Sequence, residues 1–173
     1  GVQTCALPIY PNISPEAEYL HRKAELCRLV QELPLGNPVT VVDGDYLPER
    51  FYALAKGLEQ EPERGARCQK CIGHRLEETF RAAAALEVLP DFVCTTLTIS
   101  PHKDAVFINT RGAELAEQYG ILWLPTDFKK KGGYQRSIVL SREYDLYRQN
   151  FCGCVYSRLE AERREKQEAS CED

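Results

Sequence analysis

No run of apolar residues in this sequence is long enough to span a bilayer, and no basic stretch followed by an apolar one marks a signal segment. Nothing in the residues given points to a membrane. Neither a Gly-rich dinucleotide fingerprint nor a P-loop lysine motif is present, so the two commonest phosphate-cradle signatures are missing. No repeat or low-complexity block interrupts the chain. The formal net charge is −4, so the molecule as a whole does not attract nucleic acid. Any such binding has to use a local basic patch.

What is plentiful is cysteine. Eight cysteines in 173 residues is high, and 43% hydrophobic residues suffice for a core. Secreted disulfide scaffolds carry such counts, but they are shorter and loop-rich. Here helical patterns dominate, and the close pairs Cys68-x-x-Cys71 and Cys152-x-Cys154 look chemical rather than structural. A reducing cytoplasm is the expected location.

Cys68-Gln-Lys-Cys71 opens a helical stretch and follows the helix-poor run Glu61-Pro-Glu-Arg-Gly-Ala-Arg67. Cysteines three apart at a helix start lie about 60° apart on one face. The partial positive charge of a helix N-terminus favours thiolate over thiol. Two thiolates pointing one way are half of a metal or cluster site, so three readings stand open: metal or cluster ligands, a redox dithiol, or two core cysteines. Cys152-Gly-Cys154 closes only a tight ring, and a disulfide there is expected to be strained and easily reduced. That suits a two-electron store that cycles. The plain alternative is two free thiols beside a glycine.

The remaining elements follow from periodicity and punctuation. Ser14 then Pro15 fits an N-cap and first helical residue, with a helix from Glu16 to Leu33 whose apolar face is Ala17, Leu20, Ala24, Cys27 and Val30. Val39 to Asp43 reads as a buried strand. A helix over Pro48 to Leu58 ends near Gly57. A third helix, Cys68 to Leu89, uses Leu76, Phe80, Ala83, Ala84 and Leu86 as its apolar side. Asp91 to Leu97 is the next strand, with Cys94 buried in it. Asp104 to Tyr119 is a helix stopped by Gly120, Ile121 to Leu124 a strand, and Gln135 to Tyr144 a helix. Val155 to Ala169 is a charged terminal helix, with Cys171 in a frayed end. Strand–helix alternation predicts an α/β fold with a largely parallel sheet flanked by helices.

Open α/β sheets place their sites at the carboxyl ends of strands. His102 and Lys103 follow one such strand, and Lys129, Lys130 and Lys131 follow another. From Thr126 to Phe151, Lys129, Lys130, Lys131, Arg136, Arg142 and Arg148 face only Asp127, Glu143 and Asp145, a local excess of three positive charges. That stretch would suit a phosphate backbone, or simply form a solvated loop.

Gly1 to Ile9 does not read as the start of a domain. Its nine residues resemble the translation of a sequencing-library adapter and are expected to lie outside the fold, leaving residues 10–173 as a single domain, incomplete at its N-terminus.

The chain resembles the epoxyqueuosine reductase QueH family. The resemblance is carried by Tyr10-Pro-Asn-Ile13 with Glu18-Tyr19 and Arg22-Lys23, and by Gly57-Leu-Glu-Gln-Glu-Pro62 leading to Arg67-Cys68-x-x-Cys71. It continues in Thr95-Thr-Leu-Thr-Ile-Ser-Pro-His-Lys103, Asp127-Phe-Lys-Lys, Gly132-Gly-Tyr134 and Leu146-Tyr-Arg-Gln-Asn-Phe-Cys-Gly-Cys154. It implies reduction of epoxyqueuosine to queuosine at the wobble position of a tRNA anticodon. It further implies a 4Fe–4S cluster with a second iron or other divalent metal nearby, an external electron donor, and a HUP-like, Rossmann-type fold. By position, Cys68 and Cys71 are expected to be cluster ligands and Cys152 and Cys154 the redox-active pair. His102, Lys103, Lys129, Lys130 and Arg148 are expected to contact substrate, with His102 or Asp127 as candidate proton donors. The family begins with a strand ending in adjacent cysteines, which supply the remaining ligands. No such pair occurs here, and Cys5 has no neighbouring cysteine, so that first strand is expected to be missing.

Two readings from other classes compete. One is a zinc-bound structural or RNA-binding module using Cys68, Cys71, Cys152 and Cys154 as four thiolates; a colourless protein with one zinc per chain would mark it. The other is a thioredoxin-like oxidoreductase, against which stands the lack of a preceding strand with an aromatic residue beside the first cysteine.

Overall fold

The computed structural model describes residues 4–6 and 10–170. The elements are β1 (Thr4–Ala6), α1 (Glu16–Glu32), β2 (Val39–Val41), α2 (Pro48–Ala55), α3 (Ala66–Ala84), β3 (Phe92–Val93), a 3₁₀ turn (Thr96–Ile99), α4 (Ala105–Tyr119), β4 (Leu122–Trp123), α5 (Gly133–Glu143) and α6 (Val155–Ala169). The fold is α/β, and both strand pairings are parallel: β1 with β2, and β3 with β4.

The strands are shorter than the apolar runs that announce them. Instead of one broad sheet, the described residues form two sheets of two strands each. β3 stops after Val93 because the Thr95 side chain accepts the Leu97 N–H and turns the backbone into the 3₁₀ turn. Thr4–Ala6 pairs in register with Val39–Val41. Residues 1–3 and 7–9 of the segment set apart on sequence grounds, and Cys171, lie outside the described residues.

The main core joins α3, α4, β3 and β4. Ile72, Leu76, Phe80, Ala83, Val93, Ile108, Leu115 and Ile121 form one buried cluster. Phe80, Ile108 and Leu115 have no solvent exposure. Each large side chain so buried contributes about 1.5–3 kcal/mol, which makes this cluster the anchor for both helices. The close approach of α4 to β4 requires Gly112, because a Cβ there would run into the Trp123 ring.

Of the expected apolar side of α3, Leu76, Phe80 and Ala83 are buried, whereas Ala84 is exposed and the helix ends there rather than at Leu89. α4 has the predicted limits: Asp104 caps it by accepting from the N–H groups of Val106 and Phe107, and Gly120 ends it with φ +67°.

Other expectations fail for definable reasons. Pro15, not Ser14, is the N-cap of α1, and Ser14 instead donates its N–H to the Gly153 carbonyl at 2.9 Å. Ala17, Leu20 and Ala24 are exposed, and the buried residue of α1 is Tyr19, stacked on Tyr46 with ring centroids 4.3 Å apart. This helix packs through Tyr19 and through its charged face, which is tied to residues 144–152 by Arg22, Glu25 and Arg28. Cys94 is exposed rather than buried, because β3 ends at Val93 and leaves it in the link to the 3₁₀ turn that follows.

Candidate active site

The start of α3 is fixed from below. Arg67 is buried, and its Nη1 donates to the carbonyls of Leu58, Glu59 and Glu61 at 3.2, 2.8 and 2.6 Å. Its guanidinium also lies 4.4 Å from the Tyr156 ring centroid of α6. The loop before α3 and the first turn of α6 are thus fastened to the residue that precedes Cys68. One turn on, Cys71 packs with Phe51, Ala55 and Cys154 in a second apolar cluster.

The Cys152-Gly-Cys154 turn is held from α1. Arg22 donates to the Cys152 carbonyl at 3.1 Å and the Phe151 carbonyl at 3.3 Å, and its Nε pairs with Glu18 at 2.7 Å. Gly153 takes φ +119°, a conformation that L side chains rarely adopt. Cys154 then caps α6. Its sulfur accepts the Ser157 N–H at 3.4 Å and its thiol donates to Ser157 Oγ at 3.4 Å.

These supports bring the two pairs to one place. Cys68, Cys71, Cys152 and Cys154 line a single cleft, together with Asn12, Phe51, Arg67, Ile72, Arg75 and Lys103. Lys103 is buried there. Its Nζ lies 3.3 Å from Cys152 Sγ and 3.3 Å from Glu63 Oε1. Burial alone would pull this lysine down, but the Cys152 sulfur and the Glu63 carboxylate hold it above the usual lysine value, so it is an ammonium at neutral pH.

Burial decides the state of the α3 thiols. It pushes the Cys71 thiol up to about 12, against a smaller opposite influence from Arg75. It also raises Cys68, outweighing a backbone hydrogen bond at Arg64 and the charge of Lys103. Burial thus works against the expectation that a helix N-terminus would leave these two as thiolates.

The fit to a cluster or metal can be judged from the donors present. Thiols are the right donors for iron–sulfur clusters, and a buried Asn12 Oδ1 and Arg67 Nε in the cleft have no hydrogen-bond partner among the described residues. A polar occupant would satisfy both. However, no three His, Cys, Asp or Glu side chains among the described residues are grouped closely enough to hold a metal ion. The four cysteines are two pairs facing one cleft, not a four-thiolate cage. The donors fit in kind, as part of a site.

The other predicted contacts lie elsewhere. His102 is exposed and lines an adjoining hollow with Cys68 and Lys103. Lys129 and Lys130 both pair with Asp127, at 2.8 and 3.3 Å, and the Lys129 contact first, then Lys130, lowers the Asp127 carboxyl. Arg148 donates to Ser141 Oγ at 2.9 Å. None of these four residues lines the thiol cleft. Asn12, Arg22, Glu63 and Arg67 escaped the sequence reading, since nothing in their spacing marks them, although Arg67 adjoins Cys68 and Asn12 and Arg22 sit in stretches that carry the resemblance.

Fold and site together define an α/β protein that gathers two cysteine pairs and a buried ammonium around one cleft. Among the described residues no helix is long and apolar enough to cross a membrane. The chain belongs to the epoxyqueuosine reductase QueH family, whose model matches residues 1–160. Similar curated proteins are each named epoxyqueuosine reductase QueH. That of Streptococcus pyogenes serotype M1 is 44% identical over 149 residues, covering 84% of this chain and 57% of that protein. That of Staphylococcus epidermidis is 40% identical over 153 residues, covering 86% and 63%. That of Thermotoga maritima is 36% identical over 159 residues, covering 90% and 79%. The chain spans about three fifths of the length of the first two.

Proposed function

We propose that this chain carries the thiol chemistry of an epoxyqueuosine reductase, converting epoxyqueuosine to queuosine in the wobble position of a tRNA anticodon. The single observation that carries the reading is the convergence of Cys68, Cys71, Cys152 and Cys154 on one cleft. Removing an epoxide oxygen to leave an alkene and water takes two electrons and two protons. The Cys152 and Cys154 thiols supply that number when they lose two protons and two electrons and join as a disulfide. An external electron donor then returns them to thiols.

Cys68 and Cys71 would hold part of a 4Fe–4S cluster, with the remaining ligands coming from outside the described residues. A bound cluster and a second iron or other divalent metal would supply single-electron relay and Lewis acidity at the epoxide oxygen. Within the protein, Asn12 and Arg67 offer an acceptor and a donor to whatever fills the cleft. Lys103 holds an ammonium proton beside Cys152. Lys129, Lys130 and Arg148, outside the cleft, would meet the tRNA backbone, and exposed His102 would stand at the rim. A cytoplasmic location agrees with substrate and thiols alike.

Anaerobic reconstitution of the product of the complete gene with iron and sulfide tests this; residues 1–173 by themselves are expected to be inactive. The expected result is brown absorbance with acid-labile sulfide, conversion of epoxyqueuosine in tRNA, and loss of both in Cys68→Ala. Undiminished absorbance and conversion in that variant, or one tightly bound zinc and no colour, would overturn it.

A further inference from the structure

We infer that Cys152, not Cys154, is the sulfur of the pair that meets the reaction partner, and that Lys103 is the positioning residue that equips it to do so. The inference rests on the reading that the two cysteines cycle as a pair, and adds a direction to it.

The two sulfurs stand in opposite surroundings. Cys154 is buried, and its sulfur is tied twice to Ser157 as the cap of α6. Cys152 is half-buried and has its sulfur 3.3 Å from the Lys103 ammonium. That ammonium cannot swing away freely. Glu63 holds it at 3.3 Å, and the Lys103 backbone N–H is bonded to the Ser100 carbonyl at 3.2 Å, one residue before the Asp104 cap of α4. Arg22 fixes the Cys152 backbone from the other side. A positive charge so placed, and so little hydrated, stabilises the negative charge that a sulfur nucleophile carries into its reaction.

The exchange is then ordered. Facing a disulfide, the Cys152 sulfur bonds to one of its sulfurs and the other leaves as a thiolate. The Cys154 sulfur next bonds to that of Cys152 and displaces the second thiolate. The protein's two thiols lose two electrons and two protons, and the disulfide becomes two thiols.

An aromatic disulfide reagent tests the order on the reduced chain, with the modified cysteines located by peptide mass mapping. Cys154→Ala is expected to trap a mixed disulfide on Cys152, whereas in Cys152→Ala the reagent should reach Cys154 about tenfold or more slowly. Lys103→Gln should slow reaction at Cys152 by about tenfold, and Lys103→Arg should restore part of it. A merely structural lysine would not show that rescue. Equal rates for the two single-cysteine variants would overturn the assignment, even where Lys103→Gln fails to fold. An unchanged Cys152 rate in folded Lys103→Gln would overturn the role of the lysine. Failure of the oxidised chain to form the Cys152–Cys154 disulfide would instead sink the paired reading, so the two failures are told apart.

Discussion

Arg22 reaches across 130 residues of chain to hold the Cys152 carbonyl at 3.1 Å. The same guanidinium covers the Phe151 ring, with its carbon 5.0 Å from the ring centroid. α1 is thereby the backrest of the Cys-Gly-Cys turn.

Replacing Arg22 with Gln removes charge-assisted bonds to two carbonyls, each worth about 1.5–3 kcal/mol when made. The variant should unfold at lower denaturant concentration, and hydrogen exchange should quicken at residues 151–154. Unaltered exchange there would show that the turn holds its shape without Arg22.

Gly153→Ala should be costlier at the turn itself. Its φ of +119° is hostile to alanine, and the added Cβ would sit 2.9 Å from Ile13 Cγ1 and 3.1 Å from Arg22 Nη1. A loss of about 1–3 kcal/mol is expected, read as a shift in the urea midpoint. A stability equal to that of the parent would mean that the turn accommodates a side chain.

Asn109 offers a reporter for the junction of α4 with β4. Its Oδ1 accepts from Trp123 Nε1 at 3.0 Å and the Thr126 N–H at 3.1 Å, and its Nδ2 donates to the Thr126 carbonyl at 2.9 Å. Asn109→Ala orphans three part-buried groups, and about 1–3 kcal/mol should be lost for each that water cannot reach. Trp123 is the sole tryptophan, so its fluorescence should shift to the red as the indole N–H turns to solvent. An unmoved emission maximum would contradict this placement of the ring.

Glu25 sets a dependence on acid. Arg28 first, and then the Tyr147 N–H, hold its carboxyl below the usual glutamate range. The folded value is the lower one, so the contribution is complete above the unfolded value of about 4.3 and disappears as pH falls through the folded value. Arg28 also donates to the Tyr144 and Asp145 carbonyls, at 3.0 and 3.1 Å. The segment at 144–147 should therefore become open to protease, before the core does, as pH falls below the ordinary glutamate value and through the lower folded one. Glu25→Gln should show the same opening at neutral pH, with little further change on acidification. A segment equally protected at both pH values would remove Glu25 from this role.

What the residues announced, and what they withheld, divides along the range of the interactions. α4 and α6 were legible almost to the residue, because the caps at Asp104, Gly120 and Cys154 act within one turn of the backbone. Membership of an α/β class was legible from alternation. The packed side of α1 was not, since apolar periodicity pointed to Leu20 while Tyr19, Arg22, Glu25 and Arg28 make the contacts. Cysteine spacing marked two pairs, but only the fold brings them to one cleft. Lys103, after a strand and beside His102, read as a substrate contact, with no sign that it would be buried against a thiol. Its burial depends on Glu63, 40 residues before it, and Cys152, 49 residues after it, which no local pattern records.

α3 belongs to both apolar clusters. Ile72, Leu76 and Phe80 anchor it in the larger one, and Cys71 faces the smaller. The reactive corner, braced locally by Arg22 and Arg67, is thus also coupled to the far side of the helix. A rotation of that rod would move Cys68 and Cys71 relative to Cys152 and Cys154 across the cleft, so a side chain trimmed near Phe80 would be felt at the thiols.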